Sequence, residues 1–278
     1  MEQKLLRNDA QVKLVANEED QSKVWNALQV SQTELLFIES NFISRVVAPD
    51  RLWQALAINT SLVSVDVSWN LLDELSVELL GRMLTTNRSI KTLDLTSSLG
   101  RYPSQAAESL GRALLVNTSL KGLHLGRNSW TDEHIYVFCN LGLQYNHTLE
   151  VLNLFRNELG DGGVDCLVQA VNRNHRLVQV DLVMNAEVSR RAVVNMEMAL
   201  ERNLLGHCLL ELCLARRRST SLWYKLPLDL VRLVGRLLGP TSHRQEDEES
   251  LFGEGFDVSS FDHNDCRREF ESNNSMTL

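Results

Sequence analysis

The side chains that could support metal or nucleophilic chemistry in this chain are its histidines and cysteines, and their spacing argues against both uses. His124, His134, His147, His175 and His207 show no interval that would set two ring nitrogens on one ion. His147 and His175 each follow an asparagine, which reads as a solvated turn position rather than a ligand pair. The cysteines Cys139, Cys166, Cys208, Cys213 and Cys266 are odd in number and form no C-x-x-C, so neither a zinc site nor a disulfide framework is indicated. Cys139 and Cys166 fall at or beside apolar helix positions and read as small buried side chains. None of G-x-x-x-x-G-K-[ST], H-E-x-x-H or G-x-S-x-G occurs, and Gly160-Asp161-Gly162-Gly163 reads as a turn that uses the φ freedom of glycine. No catalytic residue, metal ligand or cofactor is expected. The chemistry left is that of binding, by side chains of the kinds enriched at protein interfaces: Trp69, Phe155, Met184, Arg127 and Arg156, with Lys91, Lys121 and His124 among them.

An internal repeat positions these residues. N-T-S-L-V-S-V-D-V from Asn59, N-R-S-I-K-T-L-D-L from Asn87, N-T-S-L-K-G-L-H-L from Asn117, N-H-T-L-E-V-L-N-L from Asn146 and N-H-R-L-V-Q-V-D-L from Asn174 align without gaps, at spacings of 28, 30, 29 and 28 residues. A weaker copy lies at Thr33 to Asn41, and a degenerate seventh follows Asn203, where Leu209, Leu212 and Leu214 keep the apolar spacing. In each unit the first half alternates with period two, as Val65/Val67, Leu93/Leu95, Leu123/Leu125 and Leu152/Leu154, which predicts a short half-buried strand. The second half changes to i, i+4 pairs, Leu52/Leu56, Leu80/Leu84, Leu110/Leu114, Cys139/Leu143, Leu167/Val171 and Met196/Leu200, which predicts a helix. Between them stands a small residue, Ala55, Ala113, Gly142, Ala170 or Ala199, with Met83 as the exception, so neighbouring helices can approach closely.

This pattern resembles the leucine-rich repeats of the ribonuclease-inhibitor type, L-x-x-L-x-L-x-x-N followed by a helix. The resemblance covers roughly Thr33 to Arg217 and implies an α/β solenoid, a horseshoe with parallel strands on its concave face and helices outside. It also implies that the Asn after each strand turns inward onto the backbone of adjacent turns, a role that falls on Asn41, Asn70, Asn128, Asn157 and Asn185. Ser98 and Arg217 occupy that slot elsewhere, so the ladder should break at Ser98 and end near Arg217. Outward strand residues of successive repeats would stack about 5 Å apart. The expected partner-binding surface is therefore the concave face, bearing Trp69, Lys91, Lys121, His124, Arg127, Phe155, Arg156 and Met184 beside Asp66, Asp94 and Asp181. The sequons at Asn59, Asn87, Asn117 and Asn146 are explained by the repeat, whose strands begin N-x-[ST]-[LI], rather than by glycosylation.

The flanks complete the organisation: a terminal cap over residues 1–30 with a helix at D-Q-S-K-V-W-N-A-L, repeats over 31–217, a helix over 218–239, and a disordered acidic tail over 240–278. The cap helix would cover the open edge of the first repeat with Val24, Trp25 and Leu28. Starting at Pro227, the later helix carries an apolar stripe of Leu230, Leu233, Val234, Leu237 and Leu238. L-L-E-L-C-L-A-R-R-R with the following L-P-L-D-L is similar to the C-terminal adaptor box of ubiquitin-ligase substrate receptors. That resemblance implies a cullin-adaptor role, with Leu226, Pro227, Leu230 and Leu233 as contacts. GTPase activators for Ran share the repeat type and an acidic tail, and on that likeness Arg45 would be the residue to test.

Net charge of −8 and a pI near 5.4 argue against a phosphate-backbone binder, and no window suits a spanning helix or a signal peptide. The expectation is a cytoplasmic or nuclear, non-enzymatic scaffold for a protein partner, without nucleic acid, membrane or small-molecule cofactor.

Overall fold

The computed structural model describes residues 11–14, 34–38, 43, 49–185 and 187–218, with side chains from 34 to 207. The chain falls into two compact units, Met1–Asn203 and Leu204–Leu278. In the first, seven strands form one parallel sheet in chain order: β1 Gln11–Leu14, β2 Leu35–Ile38, β3 Ser64–Asp66, β4 Thr92–Asp94, β5 Gly122–His124, β6 Val151–Asn153 and β7 Gln179–Asp181. Helices alternate with them: α1 Pro49–Ile58, α2 Glu74–Thr86, α3 Pro103–Val116, α4 Asp132–Leu141 and α5 Asp161–Arg173, with a 3₁₀ turn at Leu143–Tyr145, and α6 Arg190–Arg218 continues past Asn203 into the residues of the second unit. Registers advance one repeat at a time, Val65 opposite Leu93, Leu93 opposite Leu123, and Leu123 opposite Leu152. Strands pack about 4.8 Å apart and helices 8–10 Å apart, so the repeats fan open on the helical side and the sheet lines the inner curve.

Each predicted i, i+4 pair is buried between the layers, from Leu52/Leu56 to Met196/Leu200. Local signals set the helix boundaries. Asp73 caps α2 by accepting the Ser76 N–H at 2.8 Å, Pro103 opens α3, and Thr131 opens α4 with His134 three residues on.

Three asparagine and aspartate ladders tie the repeats together. The inward Asn after each strand forms one: Asn128 Nδ2 donates to Leu95 O at 2.9 Å while its Oδ1 accepts the Ser98 and Leu99 N–H groups. Ser98 does not break this ladder, contrary to the expectation, because its hydroxyl donates to Val67 O at 2.7 Å and accepts the Asn70 N–H at 3.2 Å. The second ladder is formed by the asparagine that follows each helix. Asn146 Nδ2 donates to Leu114 O, a last-turn carbonyl of the preceding repeat's helix, and its Oδ1 accepts the N–H groups of Thr148 and Leu149. Asn59, Asn87, Asn117 and Asn146 are all buried, so the repeat itself accounts for the four sequons. On the convex side Asp132 accepts the Gly160 N–H at 2.8 Å, and Asp161 accepts that of Ser189 at 2.7 Å.

The structure corrects two boundaries. Gln11–Leu14 is a strand paired with β2, Gln11 opposite Leu35, where only a polar flank was expected. Its offset of 24 residues is shorter than the other repeats, and it is only four residues long, so no repeat signal marks it. The seventh predicted strand at Leu209–Leu214 is instead helical, part of α6, and no strand turn occurs at Arg217. Before each of β3 to β7 an Asn Oδ1 accepts the N–H groups two and three residues on, which bends the chain out of the helix. At Asn203 the Nδ2 bonds persist, to Val171 O, Asn174 O and Leu177 O, but Oδ1 faces the Arg202 guanidinium. Leu, Glu, Ala and Arg follow with no proline, and the helix runs on. The cap helix at residues 20–28, the helix from Pro227, the acidic tail, Asn41 and Arg45 lie outside the described residues.

Candidate functional site

Six of the eight expected binding residues separate into two groups along the strands, with His124 between them and the half-buried Phe155 one residue before Arg156. Trp69, Arg127, Arg156 and Met184 all occupy the position just before the inward Asn, one register line at the end where the chain leaves the sheet. Lys91 and Lys121 lie at the opposite end, immediately before β4 and β5, about six residues and so up to roughly 20 Å upstream of the first group. Lys121 is occupied there, its Nζ 3.1 Å from Glu150 Oε1, a carboxylate that Arg176 also holds at 3.0 Å. His124 stands mid-strand between the groups and is half-buried.

The backbone at the first group is unusual. Trp69, Ser97, Arg127, Arg156 and Met184 have φ of 60°, 56°, 56°, 54° and 62°, left-handed values that cost an L-residue on the order of 1 kcal/mol each. The repeat imposes them: Trp69, Ser97, Arg127 and Arg156 donate their N–H to Thr96 O, Gly126 O, Phe155 O and Val183 O of the next turn. None of the five is glycine or asparagine, so large side chains are held outward at strained positions. Ser97 is the small member, and across it Arg127 reaches the Trp69 ring at 5.5 Å, while Phe155 lies 5.8 Å away on the following repeat. Trp69 and Met184 are 49% and 60% exposed, and Leu71 and Val183 extend the apolar surface at either end.

Acidic neighbours are turned back on their own chain. Asp66, Asp94 and Asp181 each accept the N–H two residues on, from Ser68, Thr96 and Val183. Among the described residues neither Arg127 nor Arg156 has an ion-pair partner. Gly122 and Gly126 flank His124 on the inner face, and a Cβ at Gly126 would come within 3.2 Å of Phe155 O.

A sequence profile described as Leucine Rich repeat matches residues 145–168. NACHT, LRR and PYD domains-containing protein 12 of Homo sapiens is 30% identical over 131 residues, covering 47% of this chain and 12% of that protein. The mouse (Mus musculus) NACHT, LRR and PYD domains-containing protein 9B is 31% identical over 150 residues, 54% of this chain and 14% of its own length. This is a leucine-rich repeat protein. Among solved structures, a leiomodin-1 actin-binding site 2 fragment is similar at a TM-score of 0.39 and 15% identity, covering 78% of this chain and 92% of that one. The tropomodulin C-terminal domain of Caenorhabditis elegans is similar at a TM-score of 0.44 and 18% identity, covering 69% and 97%. The chain thus spans about an eighth of the curated relatives it matches.

Other reactive side chains of the leucine-rich repeats serve the scaffold. Gly162 and Gly163 have no left-handed φ and instead leave room for the Asp132 carboxylate, which lies where their Cβ atoms would sit. Cys139 and Cys166 share a hydrogen bond between α4 and α5; that bond and burial hold the Cys139 thiol above its usual range, and the same bond lowers Cys166. His134 Nδ1 accepts the Thr131 N–H at 2.9 Å, and its Nε2 lies 3.1 Å from Ser104 Oγ on the preceding repeat. Burial lowers its pKa, against the opposing pull of Glu133 and Glu158. A depressed folded value means that this contribution is complete above the ordinary histidine value of about 6.5 and is lost as pH falls through the folded one. Urea midpoints at pH 7.5 and 5.0 should therefore drop further for wild type than for His134→Gln, whose amide keeps the capping box without titrating. Parallel drops would remove His134 as the titrating group.

Signals for the site were incomplete in sequence. Residue types pointed to Trp69, Arg127 and Phe155, but left-handed backbone is invisible unless glycine or asparagine marks it, and Leu71 and Val183 were missed as its apolar ends. Their place within two residues of the inward Asn slot was the available clue.

Proposed function

We propose that this chain is a non-enzymatic interaction scaffold of the ribonuclease-inhibitor repeat class, in the cytoplasm or nucleus, whose protein partner docks on the sheet face at the strand-exit edge. The observation that carries this reading is the Trp69–Arg127–Phe155 cluster, in which Trp69 and Arg127 are exposed on left-handed backbone, Phe155 is half-buried, and no ion pair neutralises the arginine among the described residues. Aromatic and arginine side chains are the usual anchors of protein interfaces. Lys91 and Lys121 then belong to the far rim, where charge steers encounter more than it adds affinity. A Trp69→Ala/Phe155→Ala variant should lose about 2 kcal/mol of binding, roughly thirtyfold in Kd, against a partner captured by the wild-type chain. Tyr136→Ala, on the exposed face of α4, is the control. Unchanged affinity with an unchanged melting temperature would place the interface elsewhere.

A second reading, a cullin-type ubiquitin-ligase substrate receptor, gains support from one observation. Leu209–Cys213 lie in α6 rather than in a repeat strand, which leaves the L-x-x-x-C element helical as an adaptor box would need. Its other contacts, Leu226, Pro227, Leu230 and Leu233, lie outside the described residues. Pulldowns with the full chain and with a chain cut after Thr220 separate the readings, since elongin, cullin or Skp-type proteins should depend on the removed segment. Nothing in the described residues favours the Ran-activator reading.

A further inference from the structure

The order of side chains along the strand-exit edge specifies more than a protein surface. Successive repeats present Trp69, then Ser97, Arg127, Arg156 and Met184, each displaced by one strand spacing of about 4.8 Å, so that the line from Trp69 to Met184 is roughly 20 Å long. Its two ends are apolar and exposed, and its middle carries two guanidinium groups. Arg127 is held beside two rings, which leaves its planar N–H edge to the solvent and to any carboxylate that arrives there. Asp66, Asp94 and Asp181 form no ion pair with either arginine among the described residues, and each directs an oxygen to its own backbone.

We infer that this edge binds an extended acidic segment of another protein, about six residues long, running across the strands with one or two carboxylates over Arg127 and Arg156 and an apolar side chain at each end. The inference rests on the docking surface proposed above and names its ligand chemistry. Six extended residues span about 20 Å, matching the edge, and alternate side chains fall on one face at about 6.7 Å intervals. Charge decides against a polyanion: two arginines beside Asp66, Asp94 and Asp181 on a chain of net charge −8 would repel a phosphate backbone but accept one or two carboxylates.

The test is selection of a phage-displayed random dodecapeptide library on the full chain, followed by titration of the best synthetic peptide. Recovered peptides should carry a Glu or Asp centre flanked by Leu, Phe or Met. The best of them should bind at least tenfold more weakly to Arg127→Ala/Arg156→Ala, and replacing its acids by Gln or Asn should cost a similar factor. Against the double arginine variant that replacement should have little further effect, the mark of direct coupling. Both arginines are exposed, and unchanged urea midpoints will establish that the variants fold. Recovery of acid-free peptides, or titrations indifferent to the arginines, overturns the inference; if those peptides still lose affinity on Trp69→Ala/Phe155→Ala, the docking surface stands without the acidic specificity. Preferential binding of a single-stranded oligonucleotide or of anionic vesicles at the same arginines, or a library that yields no binder, overturns it as well.

Discussion

Replacing Gly142 by alanine should destabilise the repeats by about 3 kcal/mol or more, read as a fall in the urea midpoint. The new Cβ would lie 1.9 Å from Gly111 O and 2.7 Å from Gly111 C. Both are backbone atoms within α3, so no rotamer change relieves the overlap and the two helices must part. Parting would loosen Phe138 and Leu143, which are fully buried at this contact. Gly142 has φ of −152°, outside the left-handed region, so the expected cost is that of the overlap. Gly122→Ala is the control: its Cβ would meet the Thr92 side chain at 3.5 Å, an ordinary contact, and the lost unfolded-state freedom should leave stability unchanged or raised by about 0.5 kcal/mol. Equal midpoints for the two variants would refute the close approach of α3 and α4.

This position shows how far the sequence carried the fold. A small residue four places before every repeat Asn but Asn87 announced tight helix packing, and strands, helices and buried pairs followed from period two and i, i+4 spacing. Those features repeat, so each copy supports the others. Features that occur once were not legible. Gln11–Leu14 pairs at an irregular offset, and the chain after Asn203 keeps leucine spacing while losing the N–H pattern that ends a helix. Apolar periodicity alone could not separate strand from helix there. The candidate binding residues were legible as types but not as an arrangement. Stacking them by repeat merged the two ends of the strands, whereas the structure leaves Lys91 and Lys121 at the far edge and sets Arg127 between Trp69 and Phe155.

The post-helix asparagines looked like strand-start punctuation, yet they join repeats, and Asn146→Ala should cost about 4 kcal/mol. Asn146 Nδ2 donates to Leu114 O at 2.8 Å and Asn117 O at 3.1 Å, and Oδ1 accepts from Thr148 N and Leu149 N at 3.0 and 2.7 Å. All of this lies around a side chain that is 2% exposed, and each buried backbone group left without a partner costs about 1–3 kcal/mol, reduced where water or relaxation reaches it. Asn146→Asp should fare no better, because it keeps the two accepted bonds but turns a carboxylate oxygen toward two carbonyls. The inward ladder should be more forgiving. Ser98 already shows that a hydroxyl there can donate to the preceding turn and accept one N–H, so Asn128→Ser should cost about half as much as Asn128→Ala. Urea titrations of the four variants test this ordering. If Asn146→Ala fell within about 1 kcal/mol of wild type, the inter-repeat caps would not be what holds successive turns in register, and apolar packing between the layers would have to carry that role alone.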